Sequence, residues 1–82
     1  MNTPTRDLKV ELEKSAALLR KMRDEVRVQL HLGGMEAKQE WNKLEPRLES
    51  ALDRAAKDVS EASRTAIDEL TDAVRRLRKS LQ

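Results

Sequence analysis

The stretch Val28–Pro46, VQLHLGGMEAKQEWNKLEP, decides how the chain folds. It holds the only histidine, both glycines, the only tryptophan and one of the two prolines. Gly33-Gly34 costs about 2 kcal/mol in a helix interior relative to two alanines, and Pro46 about 3. The residue before a proline also avoids helical geometry. Three paths follow. A turn near Asn42-Pro46 gives two helices of nearly equal length, 4–42 and 46–81, joined by 43–45 and preceded by a tail, 1–3. A turn at the glycines gives unequal arms, with Arg27 and His31 suited to a helix C-terminus and Gly33 just beyond it. With no turn, one bent helix runs up to about 110–120 Å, at 1.5 Å per residue.

Working outward, the apolar residues keep helical spacing on both sides. Thr3-Pro4 is a helix start signal, since Thr can cap and Pro suits the first helical position. Leu8, Leu12, Leu19, Met22, Val26, Leu30, Ala37 and Trp41 form one stripe, with Ser15 and Gly33 filling its gaps. Its mean step is about 3.67 residues, the eleven-residue repeat of straight or slightly right-handed packing. The stripe passes through both breakers without losing phase, which speaks for a continuous helix. Compactness speaks against it, because a lone amphipathic helix buries nothing.

From Leu44 to Leu81 every apolar residue falls on one face about 160° wide, at 100° per residue. Alanine supplies much of that face: Ala51, Ala55, Ala56, Ala62, Ala66 and Ala73. A face so wide buries against more than one neighbouring helix. Val10, Ala17, Val28 and Met35 lie opposite the main stripe of the first half and read as scattered exposed residues or a weak second interface.

Composition agrees with long helices. Charged residues make up 39% of the 82, aromatics 1%, and Phe and Tyr are absent. So short a chain without large rings builds a thin core, and self-association is expected to complete it. Net charge is +2 and evenly spread, unlike the one-sided charge of a dedicated nucleic-acid binder. There is no cysteine, hence no disulfide framework or thiol chemistry. The opening MNTPTRDLKVELEK lacks the apolar core of a signal peptide. No apolar run nears the roughly 20 residues of a spanning helix. A cytoplasmic protein is expected.

Candidate chemistry is sparse. His31 has no acid three or four residues before it, so the Glu-x-x-His pattern of bundle metal sites is missing; no metal site and no cofactor are expected. Glu36 and Glu40 share a helix face, but in a polar run that leaves them solvated. HLGGME lacks the spacing of a phosphate loop. One histidine supports no Ser-His-acid arrangement, so no catalytic residue is assigned and no enzyme activity is expected. Trp41 reads as a plug closing one end of a bundle. Arg75, Arg76, Arg78 and Lys79 form a basic cluster. Such a cluster complements a helix C-terminus; it also suits contact with an anionic surface, phosphate backbone or acidic lipid.

The run Val28-Gln29-Leu30-His31-Leu32-Gly33, followed by Ala37 and Trp41-x-x-Leu44-Glu45, resembles a run in short bacterial proteins of helical, coiled-coil character. The resemblance implies a bacterial source and brings no activity or functional residue. In those proteins a charged residue within a helix stands where this chain has Pro46, which implies a helix continuous through that position.

The expected fold is all-α: one domain of two long antiparallel helices turning near Asn42-Pro46, dimerising into a four-helix bundle. The alternative is one long helix kinked at Gly33-Gly34 and Pro46. The expected function is a non-enzymatic oligomerisation or protein-interaction module. Its contacts would be Leu48, Leu52, Val59, Leu70, Val74 and Leu77. The alternative function is a peripheral membrane or nucleic-acid surface binder using Arg75, Arg76, Arg78 and Lys79.

Overall fold

The computed structural model describes residues 4–81, with side chains from Asp7 onward. The tail 1–3 and the cap at Thr3 lie outside the described residues. The chain is all-helical, with no strand among the described residues. It has three main helices: α1 (Pro4–Gln29), α2 (Met35–Lys57) and α3 (Glu61–Ser80). A single 3-10 turn, Leu30–Leu32, follows α1 directly.

Ion pairs fix the helix directions. Arg23 meets Glu49 and Arg27 meets Glu45, so a step up α1 is a step down α2, and the two are antiparallel. Glu11 meets Arg64 and Glu25 meets Arg78 at one constant offset, so α1 and α3 run parallel. The result is an up-down-up bundle 49 Å long and 19 by 15 Å across. Helix α3 packs against both other helices; α1 and α2 scarcely touch through their backbones and are bridged by long side chains.

The two-helix hairpin and the single bent helix are both corrected. No turn occurs near Asn42-Pro46: α2 runs straight through, with Pro46 in its interior. A proline there removes one backbone hydrogen bond, that of the Asn42 carbonyl. Both residues are exposed, so water can take the lost partner's place. Burial of Trp41 on one side of Pro46 and Leu48 on the other holds the helix together. Each such side chain is worth roughly 1.5–3 kcal/mol, which outweighs the local cost.

The chain turns instead at two other places. At the first, Gly33 N–H donates to the Leu30 carbonyl at 3.1 Å and Gly34 caps α2 in an extended conformation. Neither glycine has a positive φ. Gly33 is there for space: a Cβ on it would run into Leu81 Cδ2 and lie 2.8 Å from Ala37 Cβ. The second turn, Asp58–Ser60, breaks the supposed helix 46–81. Ser60 Oγ caps α3 by accepting from Ser63 N–H at 3.2 Å. The hydroxyls of Ser60 and Ser63 reach Asp58 Oδ2 at 3.0 and 3.4 Å.

The core is continuous. Leu12, Leu19, Met22 and Val26 come from α1, Trp41, Leu48 and Leu52 from α2, and Ile67, Leu70, Val74 and Leu77 from α3. The buried hydroxyl of Thr71 is satisfied within its own helix, donating to the Ile67 carbonyl at 2.8 Å.

Candidate functional site

Five of the six expected contact residues are used inside the chain. Leu48, Leu52, Leu70, Val74 and Leu77 are buried in the core. Only Val59, 37% exposed at the second turn, faces outward. The third helix covers the wide apolar face that two helices would have left open, so burial of that face no longer requires a second copy.

The basic cluster divides. Successive helical residues are 100° apart, so four near-neighbours spread around α3. Arg75 Nη1 lies 3.5 Å from Asp72 Oδ1, and Arg78 Nη1 lies 3.3 Å from Glu25 Oε1. Arg76 and Lys79 form no ion pair among the described residues. Arg76 looks across to Lys43 and Arg47 of α2, at the rim of a groove of about 450 Å³ floored by Leu44, Ala73 and Leu77.

On the opposite side, Arg23 and Arg27 tie α1 to Glu45 and Glu49. Burial disfavours the charged form of Arg23. Hydrogen bonds to Asp24 and Glu49, and the charge of both, outweigh it and raise the guanidinium pKa above its usual value.

His31 stands exposed at the end of α1, where its Nδ1 lies 2.9 Å from the Val28 carbonyl. With the proton on Nδ1 the ring donates to one of the last carbonyls of α1. Among the described residues no three of His, Cys, Asp or Glu gather as metal ligands. Glu36 and Glu40 are exposed, with Glu40 at the mouth of the α2/α3 groove. Trp41 is buried toward the first-turn end of α2. No described helix is long and apolar enough to cross a membrane.

Periodicity set Val28 and Met35 apart from the main stripe, but it did not join Leu32 to them. Val28, Leu32 and Met35 are 72%, 63% and 76% exposed, the most exposed large apolar residues described. They surround the first turn at one end of the bundle. Val28–Met35 is also the longest stretch of the chain without Asp, Glu, Lys or Arg. That gap in charge was the signal available in the sequence.

No protein-family model matches the chain, and no curated protein and no solved structure matches it either.

Proposed function

We propose that the chain is a non-enzymatic helical interaction module of the cytoplasm, self-associating through the apolar end around its first turn. The exposure of Val28, Leu32 and Met35 in an uncharged stretch carries this reading. Exposed apolar side chains grouped at one place mark interaction surfaces. A second copy suits the patch because an isologous contact sets like against like, and this stretch brings no charge to repel its twin. The absence of an enzyme activity is supported by the surroundings of the polar groups. The lone imidazole is exposed at a helix end, and Glu36 and Glu40 are solvated.

Three side chains make a small interface, below the roughly 800 Å² per partner of a stable complex. Association is therefore weak and concentration-dependent. Sedimentation equilibrium from micromolar to millimolar chain tests it. The average mass rises with concentration for the native protein and stays at the single-chain value for Leu32→Ser/Met35→Ser. A native protein monomeric throughout, or a double variant that associates equally well, overturns the reading.

A further inference from the structure

The groove between α2 and α3 holds an arrangement that neither the core nor the first turn accounts for. Lys43 and Arg47 rise from α2 and Arg76 from α3, flanking the floor of Leu44, Ala73 and Leu77. None of the three cations forms an ion pair among the described residues. Elsewhere the same helices pair their arginines, as at Arg54 with Asp58 and Arg75 with Asp72. A second hollow, of about 440 Å³, shares Arg47 and extends the groove to Arg54, Ala66 and Glu69. With Glu40 at the other end, the whole groove sets four cations, Lys43, Arg47, Arg54 and Arg76, against two acids. From Glu40 to Arg54 the groove runs about 20 Å at 1.5 Å per residue, the length of roughly four helical turns.

We propose that this groove is a docking site for an acidic amphipathic helix of a partner protein. The partner's apolar stripe would lie on Leu44, Ala73 and Leu77, and its flanking carboxylates would pair with Lys43, Arg47 and Arg76. The shape is that of helix-in-groove recognition, with a cationic rim selecting the charge of the incoming helix. The outward stripes of α1 and α3 in a second copy of this chain do not supply such a helix. The outward stripe of α1, Val10, Lys14, Ala17, Lys21, Asp24 and Val28, carries two cations against one acid and repels the rim. The outward stripe of α3, Glu61, Thr65, Asp68 and Asp72, is acidic but has no apolar side chain for the floor. The inference stands apart from self-association at the first turn.

The test uses the full chain and a fluorescent synthetic peptide of about six turns with a leucine face flanked by glutamates. A matched peptide carries lysines in place of the glutamates. Fluorescence anisotropy is expected to show binding of the acidic peptide only, weakened at least tenfold by Arg47→Glu/Arg76→Glu. Amide shift perturbations in the native protein are expected along 40–54 and 66–80. The titration is repeated in Leu32→Ser/Met35→Ser, which leaves the groove intact, so loss of self-association and loss of peptide binding are read separately. Should the charge-reversed variant lose helicity, the shift map on the native chain decides alone. Equal binding of both peptides, shifts mapping outside the groove, or reversal that spares the peptide overturns the proposal. So does tighter binding of duplex DNA or anionic phosphatidylserine vesicles to the same residues, which assigns the rim to a phosphate surface.

Discussion

Leu81 occupies the space that a side chain on Gly33 would need. The last described residue of the chain thus closes over its first turn. Gly33→Ala forces Ala37 and Leu81 apart and is expected to cost about 1–3 kcal/mol, the usual range for overpacking. Thermal unfolding would show a fall in Tm. Part of that loss should return in Gly33→Ala/Leu81→Ala, because the two sites share one contact.

Gly34, next to it, behaves oppositely. Nothing lies within 4 Å of a Cβ placed there, and its φ of −79° and ψ of −174° suit any capping residue. Gly34→Ser adds a side-chain cap to α2 and narrows the unfolded ensemble. A gain of roughly 0.5–1 kcal/mol is expected from the same melting measurement.

Pro46→Ala restores a hydrogen bond inside a helix that is already continuous. Stability should rise, by up to about 3 kcal/mol from propensity, less what proline contributes by stiffening the unfolded chain. A fall in urea midpoint would mean that the chain needs a break at this position, contrary to the continuous α2.

Ser60→Ala removes the cap of α3 and one hydroxyl from the Asp58–Ser63 cluster. About 1 kcal/mol should be lost, and amide exchange should quicken first at Ser63 and Arg64, whose N–H groups bond to Ser60.

Leu70→Asp places a charge in the core of a single chain rather than at a seam between chains. Helicity by circular dichroism should therefore collapse at every protein concentration, an effect of several kcal/mol. Val59→Asp, at the exposed second turn, should leave helicity unchanged. Rescue of Leu70→Asp by raising concentration would contradict the three-helix core. Arg23 itself adds no alkaline weakness across ordinary pH. Its folded pKa is raised, so the stability linked to its own proton is fully present below the unfolded value and fades only as pH climbs through the folded one. Arginine titrates far above neutrality.

Much of this fold was legible in the apolar spacing. Leu12, Leu19, Met22, Val26 and Trp41 fall on the stripe and are buried, as are Leu48, Leu52, Ile67, Leu70, Val74 and Leu77. Helical periodicity reports which residues face a core, and these do. It does not report where a helix stops when the next begins in phase. Ala55, Val59 and Ala62 keep the spacing across the second turn, and neither glycine nor proline marks it. The mark was subtler: Asp58, Ser60 and Ser63, three small polar side chains able to bond one another and the backbone. Pro46 misled in the other direction, since a local penalty was overcome by burial on both sides. The α2/α3 groove was invisible because Lys43, Arg47 and Arg76 meet only after the second turn folds α3 back along α2.

An odd number of helices has a geometric consequence. Pro4 begins α1 at one end of the bundle, and Leu81 lies at the other, against Gly33. A hairpin would bring the outer ends of its two helices side by side; this bundle holds Pro4 and Leu81 at opposite poles of a 49 Å body. Whatever is joined beyond these two points would be kept apart as by a strut. Tension between them would load α1 and α3 in shear along their shared direction, resisted by all the core contacts at once rather than peeled open one at a time.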